Sequence, residues 1–145
     1  MKNEFLRHTL ATIDYRFAKA TVHFPTDFGT FSLGKGVRTP SEITYHMYQV
    51  LAATRIFLQK GKFEKIEAPS LDFAGERDRF RAELVETDKV LSEQVLSIGT
   101  AKRLIQGPIS DLITHIGQIS MMQRLTDNPI PGENFSRASI KTTLS

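Results

Sequence analysis

Apolar residues recur at intervals of three and four positions along most of this chain, and that spacing predicts amphipathic helices. Near the N-terminus one such stripe lies on a predicted helix from about Asn3 to Thr21 and consists of Leu6, Leu10, Ile13, Phe17 and Ala20. Helices of this kind must bury their apolar stripes against one another. The pattern therefore favours an all-α fold.

The segment TPSE at positions 39 to 42 is a strong signal for a helix start. Thr39 suits the N-cap, Pro40 suits the first helical position, and Glu42 can reach back to complete a capping box. We expect a second helix from Pro40 to about position 59 or 60, ending at Gly61.

Two further helices follow. The third is predicted from about Phe73 to Val95, with Gly99 as its end signal. Its buried side is predicted to carry Phe73, Phe80, Leu84, Leu91 and Val95, with charges such as Arg77, Glu83 and Lys89 elsewhere. After a short helical turn, Pro108 is predicted to start the fourth helix, which runs to about Leu125.

The segments between these helices are loops. The stretch HFPTDFGTFSLGKGVRTP has no helical period, a second loop holds Pro69, and the C-terminal tail is predicted to be extended, anchored by Ile130, Phe135 and Ile140. A chain of 145 residues fits one domain. We therefore predict a single domain over residues 1–145, an antiparallel four-helix bundle with long loops and an extended tail.

Composition narrows the function. A net charge of +3 with interleaved signs does not indicate nucleic-acid binding. The absence of cysteine excludes disulfides, thiolate metal sites and a cysteine nucleophile. No apolar segment is long enough for a membrane span or a secretory signal, so we expect a soluble, cytoplasmic protein.

The stretch PISDLITHIGQISMMQRL, residues 108 to 125, contains the main candidates for functional side chains. Asp111, His115, Gln118 and Met122 share one stripe of the fourth helix, at the edge of an apolar face made of Ile109, Leu112, Ile113, Ile116 and Ile119. A carboxylate and an imidazole four residues apart can converge on one metal ion.

A third ligand has to come from another helix. His46 is the best candidate, because it is predicted to share an inward stripe with Ile43, Val50, Ala53 and Phe57. Gln118, one turn beyond His115, could orient a bound ligand.

The residues alone leave other roles open. Asp111 could cap the start of the fourth helix, His115 could donate to a backbone carbonyl, and His46 could pair with Tyr45 or Tyr48. His8 and Tyr15 share one side of the first helix, which could face a partner. Glu133, Asn134 and Arg137 could line the entrance to the site or simply be solvated surface residues.

The chain resembles the DinB-like family of bacterial four-helix-bundle proteins. The likeness covers LRHTLATIDYRFAKA, RTPSEITYHM and the block from Gln106 to Ile140, which contains the HxGQ element at positions 115 to 118 and the following PGENFSRA. The resemblance implies an up-down-down-up bundle and a divalent metal bound by His46, Asp111 and His115. Where the family pattern commonly has a histidine, this chain has Asp111. A carboxylate oxygen suits zinc or nickel, and also manganese or iron.

The resemblance also implies a metal-dependent hydrolase or a thiol-dependent transferase that acts on a small molecule and forms a homodimer. Three protein ligands leave positions open for a water or a thiol, whose pKa the metal lowers. The alternative is a non-catalytic helical bundle that binds a small molecule or a protein as a dimer.

Overall fold

The computed structural model describes residues 1–145, and its regular elements are all helical. Their bounds are α1 Glu4–Thr21, α2 Pro40–Lys60, α3 Phe73–Glu93, α4 Ile98–Leu104 and α5 Ser110–Leu125, with short 3₁₀ turns at Phe28–Thr30 and Phe135–Arg137 and a π turn at Ile105–Ile109. The predicted all-α class is confirmed. None of the helices combines the length and apolar character needed to cross a membrane.

The start and end of α2 follow the predicted signals. The hydroxyl of Thr39 accepts a hydrogen bond from the Glu42 amide at 3.2 Å, and the Glu42 carboxylate accepts one from the Thr39 amide at 2.9 Å. Pro40 is the first helical residue, and Gly61 ends the helix with a φ of 82°. This left-handed conformation favours glycine because it has no Cβ.

Helix α3 ends at Glu93, so the predicted end near Val95 is wrong. Gln94 leaves the helix in an extended conformation, and its side-chain amide donates to the Leu58 carbonyl at 2.8 Å. Val95, predicted to be buried, is 80% exposed. Gly99 does not end α3 either, because it lies within α4.

The predicted break before the fourth helix is also wrong. The chain stays helical from α4 through the π turn into α5, with Pro108 inside the π turn. The Ser110 amide reaches back to the Ile105 carbonyl, five residues earlier. This wider turn accommodates a proline, which lacks an amide proton and crowds the preceding turn of an α-helix.

The core is continuous between the long helices. Phe17 and Phe80 are fully buried and pack edge to face, with ring centroids 4.9 Å apart. In α2 the buried stripe consists of Ile43, Met47, Leu51 and Leu58. The predicted stripe through Val50, Ala53 and Phe57 is only half-buried. It lies on the side of α2 next to the buried stripe.

Buried ion pairs connect α3 to its neighbours. Glu83 was predicted to lie away from the buried side, but it is 5% exposed and binds Arg55 of α2 through two hydrogen bonds of 2.8 and 2.9 Å. Asp88 is equally buried and binds Arg7 of α1 at 2.8 and 3.0 Å. These carboxylates are buried because each has a guanidinium partner.

Side-chain hydrogen bonds show which helix ends meet. Asn3, at the start of α1, donates to the carbonyl of Leu91 near the end of α3 at 2.8 Å. Gln123, near the end of α5, donates to the carbonyl of Ala20 near the end of α1 at 3.0 Å. The start of α1 therefore lies beside the end of α3, and the ends of α1 and α5 lie together.

The C-terminal tail follows α1. Glu133 accepts a hydrogen bond from Tyr15 at 2.6 Å and one from Arg16 at 2.8 Å, and Thr142 lies 3.0 Å from the ring of His8. The surface of α1 that was predicted to face a partner therefore contacts this chain's own tail. Of the predicted anchors, Ile130 packs against the core and Ile140 is half-buried, while Phe135 stays 68% exposed.

Candidate metal centre

The structure brings His46, Asp111 and His115 together where α2 crosses the beginning of α5. The Nε2 atom of His46 lies 3.2 Å from Oδ2 of Asp111, and the Nε2 atom of His115 lies 3.3 Å from Oδ1 of the same carboxylate. The two imidazole rings are nearly perpendicular, with centroids 4.9 Å apart. One carboxylate thus lies between two imidazole nitrogens.

Each side chain is held by its helix. His115 is buried at 8% exposure, on the side of α5 that packs into the core through Leu112 and Met122. His46 is half-buried at the edge of α2, and the Asp111 side chain is 40% exposed. The group of three is therefore enclosed on the side of His115 and accessible to solvent on the side of Asp111.

The hydrogen bonds of His115 define its free nitrogen. Its Nδ1 lies 2.8 Å from Oε1 of Gln118, and since that oxygen can only accept, Nδ1 carries the proton. Nε2 is then left with a lone pair in the neutral ring. It is buried and has no hydrogen-bond partner, although Asp111 Oδ1 is only 3.3 Å away.

A lone pair facing a carboxylate at this distance is unfavourable unless a cation, either a second proton on the ring or a metal ion, lies between them. Burial and the nearby Arg38 guanidinium lower the pKa of His46 below its ordinary value, and the neighbouring Asp111 opposes that effect. The His46 ring is therefore neutral at neutral pH. A neutral imidazole is the form that binds a metal.

The donor set fits a divalent metal ion. The ligand atoms of the three residues all lie within 4.8 Å of one another. The two imidazole nitrogens lie 3.2 and 3.3 Å from different oxygens of the Asp111 carboxylate, so these three residues would hold a divalent ion between them. Two imidazoles and one carboxylate also leave coordination positions open.

The structural roles that compete with metal binding are not supported by the contacts. Asp111 follows a helical turn directly, and its carboxylate accepts from His46 and from no backbone amide. His115 bonds to the Gln118 side chain instead of a backbone carbonyl. Tyr45, a suggested partner of His46, has its hydroxyl engaged by Gln49 and Ala68.

Other predicted residues lie elsewhere. Glu133 binds Tyr15 and Arg16, and it borders a groove on the side of α5 opposite His115. Asn134 caps the short 3₁₀ turn by accepting from the Ser136 amide. Sequence patterns did not reveal Arg38, an exposed cation that acts on His46. The available signal was its position just before the Thr39 cap, about two helical turns from His46.

Comparison of the chain with protein-family models, with curated proteins and with solved structures finds no match.

Proposed function

We propose that this protein is a DinB-like four-helix bundle in which α1, α2, α3 and α5 run up, down, down and up. Three contacts support this order. The start of α1 lies beside the end of α3, the ends of α2 and α3 meet through Gln94 and Leu58, and the ends of α1 and α5 meet through Gln123. With α1 taken as up, these contacts make α2 and α3 down and α5 up.

We propose further that the bundle holds a divalent metal ion through His46, Asp111 and His115 and acts as a hydrolase or thiol-dependent transferase. The observation that carries this proposal is the buried, unpartnered Nε2 atom of His115 facing the Asp111 carboxylate. A protein gains nothing from burying a lone pair against a negative charge, whereas a metal cation placed there binds both groups.

The residues have distinct roles in this proposal. Gln118 holds the proton on Nδ1 of His115, which leaves the lone pair of Nε2 available to bind the ion. Asp111 supplies negative charge and borders the solvent-accessible side, from which a small-molecule substrate enters. A bound divalent ion supplies Lewis-acid chemistry that makes a water or a thiol more acidic.

Arg38 extends the site. It is exposed and close enough to His46 to lower the pKa of that ring, and its charge also acts on the Glu42 carboxylate. An exposed guanidinium beside the opening favours substrates with an anionic group. The resemblance also implies a homodimer, which stays a prediction.

The test is elemental analysis of the chain expressed without an affinity tag and purified without chelator. We expect an equimolar amount of zinc, nickel, manganese or iron, and its loss in His46→Ala, Asp111→Ala and His115→Ala. His23→Ala is the matched control, because that histidine is exposed in a loop and belongs to no group of three possible metal ligands. A chain that stays metal-free after incubation with each of these ions contradicts the proposal.

A further inference from the structure

A second concave surface lies on the far side of α5 from the candidate metal centre. It is a groove of about 1050 Å³ between α1, α5 and the tail around residues 130 to 135. It follows α1 from Thr9 to Ala20, a rise of about 17 Å at 1.5 Å per residue, and continues past the helix end to His23. Its volume reaches the upper end of ordinary ligand pockets, so it suits an organic ligand rather than a small ion.

The walls of the groove are apolar. Ile113 and Ile116 of α5 face it, Ile130 and Phe135 come from the tail, and Val22 lies at one end. Ile113 is 51% exposed and Val22 is 63% exposed, so these side chains lose contact with water only if something fills the groove.

The hydroxyl groups in the walls are already used. Thr9, Thr12 and Ser120 each donate to the carbonyl of the residue four positions earlier in the same helix. Their protons are therefore turned away from the groove. The middle of the groove therefore offers a ligand few free hydrogen-bond donors, which favours an apolar body there.

Positive charge is concentrated toward the end of α1. Arg16 and Lys19 both line the groove; Arg16 is paired with Glu133, and the charge of the exposed Lys19 also acts on that carboxylate without a direct ion pair. The one acidic residue that lines it, Glu133, already has one oxygen engaged by Tyr15 and the other by Arg16.

The Nη2 atom of Arg16 is buried without a hydrogen-bond partner, an arrangement that costs free energy until an acceptor arrives. The Phe135 ring stacks on the Arg16 guanidinium at 3.5 Å, so a carboxylate at this end of the groove reaches Nη2 only when the side chains that cover it move aside, whereas the exposed Lys19 ammonium is directly accessible to it.

We propose that the groove between α1, α5 and the tail binds an elongated amphipathic carboxylate. Its apolar body lies along Ile113 and Ile116, and its carboxylate lies against Arg16 and Lys19. This site is independent of the candidate metal centre, because the two occupy opposite sides of α5.

The proposal is tested with dodecanoate as the probe, titrated into the full chain by calorimetry below the concentration at which the probe aggregates. We expect saturable, equimolar binding. Dodecyltrimethylammonium, with the same chain and a positive head, is expected to bind at least about tenfold more weakly, as is dodecanoate to Lys19→Gln, since a charge-assisted hydrogen bond contributes about 1.5–3 kcal/mol.

Gly117→Leu provides the steric test. Gly117 lines the groove, and a Cβ there meets nothing within 4 Å, so a leucine side chain starts into open space in the groove and suits the helix better than glycine. We expect dodecanoate affinity to fall about tenfold or more. Gly99→Leu, in α4 and outside the groove, is the matched control and keeps the affinity, as does His115→Ala at the metal centre.

Three results would overturn the proposal. The first is the absence of saturable binding, and the second is equal affinity for the two probes of opposite charge. The third is a doubling of mass in light scattering that Gly117→Leu abolishes, with no dodecanoate binding. That last result would assign the groove to a second copy of the chain.

Discussion

His46 and Asp111 are 65 residues apart in the sequence, yet their side chains lie 3.2 Å apart across two helices. The contact depends on the position of each residue on its helix, because a shift of one residue turns a side chain by about 100°. The pair is thus an indicator of correct packing between α2 and α5, and it supplies two of the three residues of the candidate metal centre.

We expect Gln118→Ala to lower metal affinity about 10–100-fold, because Nδ1 of His115 then loses the acceptor that fixes its proton. Competition with a chromogenic chelator measures the change. Gln118→Glu is the matched control, since a carboxylate keeps an acceptor at this position. Equal affinities for all three proteins would mean that Gln118 does not orient the ligand.

The pKa of His46 in the metal-free protein is expected to lie below its ordinary value of 6.5. Because Arg38 lowers this pKa and Asp111 raises it, Arg38→Gln should raise it and Asp111→Asn should lower it further. Proton NMR titration of the His46 ring follows both shifts. Shifts of the same sign in the two variants would contradict the geometry.

This lowered pKa also has a consequence for stability. At pH values between the pKa of His46 in the folded chain and its ordinary pKa, the unfolded chain binds a proton at His46 that the folded chain does not bind. The contribution of His46 to stability is therefore present above pH 6.5 and is lost as the pH falls toward the folded pKa. Urea unfolding of metal-free parent and His46→Gln proteins at several pH values separates this contribution from that of other groups.

Asp88→Asn is expected to destabilise the protein by about 3 kcal/mol, because it leaves the Arg7 guanidinium partly buried without its charge partner. Denaturant unfolding measures the loss. The exposed pair of Lys65 and Glu67 gives the comparison, and Glu67→Gln should change stability by less than about 0.5 kcal/mol. Equal effects at both positions would mean that burial of Asp88 does not matter.

Gly29→Ala is expected to cost about 1–3 kcal/mol through overpacking. A Cβ at this position would overlap the Ser41 hydroxyl and lie 2.9 Å from Cβ of Phe73, so the loop between α1 and α2 could not keep its close approach to α3. Thermal unfolding measures the change. Ser41→Ala in the same background should restore part of the stability, while Gly132→Ala, with open space around it, should have little effect.

Local signals in the sequence predicted the beginning and end of α2, because Thr39, Glu42 and Gly61 act on the backbone within one turn. They failed at Gly99 and Pro108. Gly99 lies after a helix start set by the Ser97 side chain, and the ring of Pro108 is accommodated by a wider turn. Helix propensity alone does not predict a glycine inside a capped helix or a proline inside a π turn.

The stripe of Asp111 and His115 was predictable from helical spacing, and so was His46 as a third candidate. The partners of the buried carboxylates were not predictable. In the sequence Glu83 and Asp88 have the pattern of surface charges, and their partners Arg55 and Arg7 belong to other helices. The groove beside α1 was missed for the same reason. It exists only once the tail has folded back along that helix.

The π turn at Ile105–Ile109 determines the rotational phase of everything that follows it in α5. If this turn took up ordinary α-helical spacing with all of its residues kept, each later side chain would turn by about 100° about the helix axis. His115 would leave His46, and Ile113 would leave the groove in the same movement. A single local irregularity therefore couples two surfaces that never touch, and a change in this turn cannot alter one without altering the other.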